Sequence, residues 1–317
     1  MKHIFWVLII LISINVKSYS QEYFDTKLKF GQAKDENGKE MLQPYSLQPI
    51  EYSKIEELFK KFQNDGWIEF RYPQNGCQYR AHSMARILLE NGIKSNKIWS
   101  FKPALLGENT SDELNIIDPN FPDEKIKWAY HVAPIVVVKM PNNQIDTLVI
   151  DPSIFNKPIN YNIWLSSLNC SKQYYTFIHS KYIQYETKKN NILSGKWYSE
   201  NYSLNMRWVS TSICKGKIFY MYIQNELLPI NKRMNELDIA ISTANSQKQK
   251  NGLLLEKKQL NKIYTKRKNI ATNSDKFGEL PGEYQSMLIE CQEYFMECTY
   301  FYWDSIEKNQ VLNKCKY

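Results

Sequence analysis

Between Ala129 and Pro152 the chain reads "AYHVAPIVVVKM", then "PNNQ", then "IDTLVIDP". Two β-branched runs around a short polar turn commit this stretch to an antiparallel hairpin. An isolated hairpin is barely stable in water, so other strands or a helix must cover it. Two helices are available upstream. "YSKIEELFKKF" puts Ile55, Leu58, Phe59 and Phe62 at helical spacing, with Ser53 as a cap. From Cys77 to Glu90, Ala81, Met84, Ala85, Ile87 and Leu88 mark an apolar face, and Asn91-Gly92 suits a left-handed stop. "WIEFRYP" reads as a short strand closed by Pro73, "KDENGKE" as a loop or hairpin tip, and 102–125 as loop. Further short strands are expected around Tyr174–Gln184 and Lys217–Gln224. After Asn225 the sequence turns polar with a helical period, Gly252 marks a kink or turn, and another helical run goes from Glu283 to Lys308. The expected fold class is α+β with an additional C-terminal helical region over 225–317.

The 317 residues, 43% hydrophobic and 23% charged, fit a folded globular chain. "MKHIFWVLIILISINVKSYSQ" has a basic start at Lys2, an apolar run from Ile4 to Val16 and small or polar residues to Ser20. That is the layout of a secretory signal peptide over 1–20, with an apolar run short of the ~20 residues that span a membrane. The expected location is therefore secreted or periplasmic, with no stable membrane insertion. The formal charge is +8. Its densest run, "KKQLNKIYTKRKN", reads as a solvated helix face, and no nucleic-acid motif accompanies it. Export permits disulfides among Cys77, Cys170, Cys214, Cys291, Cys298 and Cys315. Cys291 and Cys298 are excluded as a pair, because seven residues of helix hold their Cα atoms ~10 Å apart. The pairing of the others stays open.

Cys77 follows "YPQNG" and opens its helix, where free N–H groups and the helix dipole favour a thiolate. The same residue could be a buried thiol or half of a disulfide. A nucleophile needs a base. His82 lies five residues on, ~140° round the helix and away from Cys77, so a structural or surface role is expected for it. His179 in "FIHSKY" has no acidic neighbour and reads as structural. His131, which begins the strong strand, is the better base. Asp151 ends the partner strand. If Met140 pairs with Gln144, Asp151 faces Ala133 and is a diagonal neighbour of His131, within side-chain reach. If Met140 pairs with Ile145, it points to the other face. Asp118, in the similar "IIDPNF", is the weaker candidate.

"FRYPQNGCQYRAHSM…ILLENG", "WAYHVA" and "VIDPSIF" together resemble the secreted bacterial protein-glutaminases, by residue identity, order and spacing across Tyr52 to Phe155. The first segment is the specific one. The resemblance implies a papain/transglutaminase-like catalytic domain over 47–224, after a short extension at 21–46, in which a nucleophile helix packs on an antiparallel sheet. It implies Cys77 as nucleophile, His131 as base and Asp151 as orienting carboxylate. The implied reaction hydrolyses protein-bound glutamine to glutamate and ammonia, with no metal or cofactor and with proteins bearing exposed glutamine as substrates. Trp128 and Tyr130 are expected either to line the groove for the glutamine stem or to belong to the core. Family members carry a long propeptide, and residues 21–46 are short for one. The C-terminal helices have no counterpart in the resemblance and are expected to cover the site, recognise a target or bind a protein partner. The same triad would also serve a transglutaminase or a cysteine peptidase, and a secreted binding module with an idle site is the non-enzymatic alternative.

Overall fold

The structure is a computed structural model that describes residues 33–64, 68–188, 191–200 and 203–298. The expected signal peptide, the first part of the 21–46 extension, the Cys298 side chain, Cys315 and the helical run beyond Cys298 lie outside the described residues. In chain order, β1 (Lys34–Asp35) and β2 (Ile50–Glu51) lead to α1 (Tyr52–Asn64), α2 (Cys77–Glu90) and β3 (Asn96–Phe101). Then come β4 (Leu114–Ile117), β5 (Lys125–Trp128), β6 (Tyr130–Lys139), β7 (Ile145–Val149), β8 (Ile159–Asn160) and α3 (Tyr161–Ser167). β9 (Tyr174–His179), β10 (Tyr182–Lys188) and β11 (Asn191–Ser199) complete the strands among the described residues. Four helices follow: α4 (Ser203–Tyr222), α5 (Leu228–Thr243), α6 (Gln247–Ala271) and α7 (Gly282–Cys298).

The main sheet runs β8-β7-β6-β3-β9, antiparallel throughout, with β2 added parallel to β6. Alternation along its strands separates two cores. Val136, Val138, Leu148 and Ile150 meet Ile55, Leu58, Phe59 and Phe62 of α1 and Met84, Ile87 and Leu88 of α2. Ala133, Ile135 and Val149 face the other way, towards Trp164 and Leu165 of α3 and the small β4–β5 sheet. Because α2 also packs against α4 and β10, it is buried almost all round, and Gln78, Arg80, His82 and Arg86 go inside with its apolar residues.

Several elements depart from the sequence expectation. The described part of "WIEFRYP" is not a strand. Glu69 instead accepts hydrogen bonds from the Arg71 backbone (2.8 Å) and its guanidinium, and such local bonds compete with a sheet ladder. The 102–125 segment contains β4, whose Leu114 and Ile116 alternate inward opposite Trp128 and Ile126 of β5. Lys217–Gln224 is helix and π-turn rather than strand, because Val209, Ile213, Ile218, Phe219 and Tyr222 are buried at helical spacing. The π-turn at Ile223–Leu227 precedes Pro229, which has no N–H for an ordinary helical bond. The helical region therefore begins near Ser203, and the 224/225 boundary falls within it. Gly252 lies inside an unbroken α6. The break comes at 244–246 instead, where Ser246 caps α6 by accepting from Gln249 N at 3.2 Å.

The C-terminal helices share a core with residues that precede strands β3 and β5. Tyr72 stacks on Phe219 (4.9 Å), and both pack with Phe121, Tyr222, Ile270, Phe277 and Tyr284. A disulfide joins Cys214 of α4 to Cys291 of α7, with Cα atoms 5.8 Å apart. No helix among the described residues is long and apolar enough to cross a membrane.

Candidate active site

The turn before α2 decides where the thiol stands. Gly76 has φ 79° and ψ 17°, a left-handed conformation that a side chain makes costly, and its carbonyl accepts from Tyr79 N and Arg80 N at 3.0 Å each. A Cβ at this position would also lie 2.4 Å from Ser212 Oγ on α4. No side chain caps α2, and the N–H groups of Cys77 and Gln78, ahead of the first helical bonds, have no intrahelical partner. Cys77 is the first residue of that turn. Its sulfur lies 4.0 Å from the carbonyl of Tyr130, the residue that opens β6, so the helix start meets the strand start.

His131 is the next residue of β6. The hairpin adopts the even register: Lys139 pairs with Ile145, Met140 N donates to Gln144 O at 2.8 Å, and Ile150 N donates to Pro134 O at 2.9 Å. Asp151 thus stands on the His131 face, and its Oδ2 accepts from His131 Nε2 at 2.8 Å. This fixes the proton on Nε2 when the ring is neutral and leaves Nδ1, buried and without a hydrogen-bond partner, for the thiol side. Burial alone would lower the His131 pKa. The Asp151 charge, its hydrogen bond and the neighbouring Cys77 outweigh burial and raise it to about 9. Burial likewise opposes ionisation of Asp151, but His131, the Trp164 hydrogen bond and the charge of Arg80 hold its carboxyl below the usual range.

Two tryptophans clamp the imidazole. Trp128 stacks on it at 4.3 Å with planes 12° apart, and Trp164 stacks at 5.5 Å. Trp128 is buried, and its Nε1 donates to Pro73 O at 3.2 Å, so the ring joins the histidine to the cysteine turn. Trp164, which sequence reasoning did not single out, donates Nε1 to Asp151 Oδ2 at 2.8 Å. An indole N–H is a donor only and needs an acceptor when buried, which is the signal that could have found it. Tyr130 is half-buried and packs against Trp99 (5.3 Å) and Tyr185 (5.2 Å) beside Cys77.

The remaining candidates stand elsewhere. Asp118 is buried and accepts from Gln74 of the cysteine turn and from Asn120 N (2.8 Å), and burial pushes its carboxyl up. His82 is fully buried, which removes the surface alternative, and its Nε2 donates to Glu200 at 3.0 Å. His179 packs on Tyr45 at 4.1 Å. The second free thiol, Cys170, is pushed up to about 11 by burial and the charge of Asp112, a poor setting for a nucleophile.

Residues 55–168 match the model of a family described as glutaminase. No curated protein matches this chain. Among solved structures it is similar to a crystal structure of protein-glutaminase, at 22% identity over 56% of this chain and 90% of that one, TM-score 0.41. It is also similar to the NMR structure of protein-glutaminase from Chryseobacterium proteolyticum, at 21% identity over 56% and 90%, TM-score 0.40. A third is the crystal structure of pro-protein-glutaminase, at 22% identity over 56% of this chain and 61% of that chain, TM-score 0.41.

Proposed function

We propose that this chain is a secreted cysteine-dependent protein-glutaminase, converting side-chain amides of protein-bound glutamine to glutamate and ammonia. The observation that carries the reading is the His131–Asp151 hydrogen bond beside a cysteine at an uncapped helix start, within a glutaminase-family segment. The Cys77 thiolate attacks the carboxamide carbon, and the carbonyl oxygen takes the negative charge. N–H groups of the first turn of α2 hold that oxyanion. His131 Nδ1 protonates the departing nitrogen, ammonia leaves, and a thioester remains on Cys77. Water then attacks the thioester while the same nitrogen takes its proton, and the acid and the thiol are released. Tyr130 walls the glutamine stem. Trp128 holds the imidazole flat rather than meeting substrate. Secretion follows from the leader-like residues 1–20, and the substrates are proteins with exposed glutamine.

The test is intact-protein mass spectrometry of a glutamine-rich protein, with and without a labelled primary amine. Ammonia release with a gain of about 1 Da per amide turned to acid is expected, and it disappears in Cys77→Ala. Amine incorporation in place of that gain would make the enzyme a transferase, and backbone cleavage a peptidase. Equal traces for wild type and Cys77→Ala would mean the site is idle.

A further inference from the structure

One buried cation stands beside this site without a role in the reaction as described. Arg80 is three residues after Cys77, so the two are neighbours on one face of α2. It is only 4% exposed. Its Nη1 donates to Asn75 O at 2.6 Å and to Tyr72 O at 3.3 Å, the two carbonyls that bracket the Pro73–Gln74 turn. Its Nε and Nη2 are buried without a hydrogen-bond partner. Nη1 would also lie 3.8 Å from a Cβ at Gly76, so the guanidinium reaches the residue before the nucleophile.

A neutral side chain could tie two carbonyls together. A fully buried guanidinium with two unpaired nitrogens is expensive unless an anion needs it. Burial disfavours the charged form of Arg80 and lowers its pKa, and the groups that oppose burial are Cys77, Asp151, Glu69 and Tyr72. The other titratable groups acting on or paired around the thiol are His131, Tyr79, Tyr130 and Tyr185. Among these named groups, Arg80 is the one fixed cation.

We propose that Arg80 is a positioning residue for Cys77, anchoring the turn that delivers the thiol and supplying a permanent positive charge beside the sulfur. Asp151 stabilises positive charge on the imidazole, and Arg80 stabilises negative charge on the sulfur. The inference rests on the proposed nucleophilic role of Cys77, but not on the identity of the substrate.

The experiment follows the pH dependence of Cys77 alkylation by iodoacetamide, in full-length protein carrying Cys170→Ser, for Arg80, Arg80→Lys and Arg80→Met. Alkylation at Cys77 is counted by mass spectrometry. Arg80→Met is expected to move the acid limb of the rate profile up by about one pH unit, a tenfold loss of rate on that limb. Arg80→Lys keeps the charge but lacks the planar fork. It is expected to leave the limb in place while kcat falls and KM stays within about twofold. An unmoved limb in a folded Arg80→Met would overturn the proposal and leave Arg80 a structural anchor. If Arg80→Met does not fold, a limb in Arg80→Lys that shifts despite the retained charge overturns it equally. Alkylation needs no turnover, so absence of ammonia release would count against the deamidase reading and not against Arg80.

Discussion

Two histidines are buried within this domain, each against a carboxylate, and they come out opposite. His131 donates to Asp151 at 2.8 Å and its pKa is raised to about 9; His82 donates to Glu200 at 3.0 Å and its pKa is pushed down to about 4. Both rings suffer burial, and both have an acid within hydrogen-bond reach. The difference lies on the other ring nitrogen. Lys97 Nζ donates to His82 Nδ1 at 3.1 Å, and Arg86 lies 3.4 Å from the same Glu200, so cations surround that ring. His131 Nδ1 has no such donor and faces the Cys77 side. A carboxylate neighbour alone therefore does not make a histidine a base. What occupies the second nitrogen decides whether the ring can take and give a proton.

The sharpest way to break the contrast is Asp151→Asn. It keeps the shape and removes the charge that holds the imidazolium, and kcat for ammonia release is expected to fall by about 10²–10⁴-fold. Trp164→Phe comes next. It keeps the stack but removes one donor to a charged acceptor, worth about 1.5–3 kcal/mol, so a roughly tenfold or greater drop in kcat is expected in steady-state assays, with little change in KM. The pH dependence of stability should then separate the two rings. With a pKa above the ordinary 6.5, His131 contributes stability that is complete below about 6.5 and lost as pH rises through about 9. His82 is the reverse: the unfolded chain binds its proton first, so stability is lost as pH falls from 6.5 through about 4. Thermal melts should show His131→Gln flattening the alkaline side and His82→Gln the acid side; the same slopes in both variants would contradict the assignment. The smallest effect is expected from Lys97→Met. It removes a cation from His82, and proton NMR should find that ring titrating above its present value of about 4.

Much of this was legible in the sequence. The apolar spacing of α1 and the β-branched runs of β6 and β7 fix the sheet and what covers it. The "PNNQ" turn allowed two registers, and only the backbone hydrogen bonds choose between them. Helix arithmetic separated His82 from Cys77, but could not say that Lys97 and Glu200 would enclose it, because those contacts join residues 15 and 118 positions away. Trp164 and Arg80 stayed hidden for a related reason. Their roles depend on a carboxylate and on carbonyls that the turns deliver, and no local spacing encodes that delivery. The stretch Lys217–Gln224 misled because a short β-branched and aromatic run fits either period, and its helical neighbours settle the matter.

The link between Cys214 and Cys291 closes a loop of 77 residues that contains the whole α5–α6 hairpin. That hairpin carries exposed Ile239, Leu254, Leu255 and Ile263 and a connection at 244–246, the kind of tip that secreted proteases cut. A single cut there would not release the last helix. The two fragments would remain one covalent molecule, with α7 still fastened to α4 and Ser212 still against Gly76. The bridge turns a break in the chain into a nick.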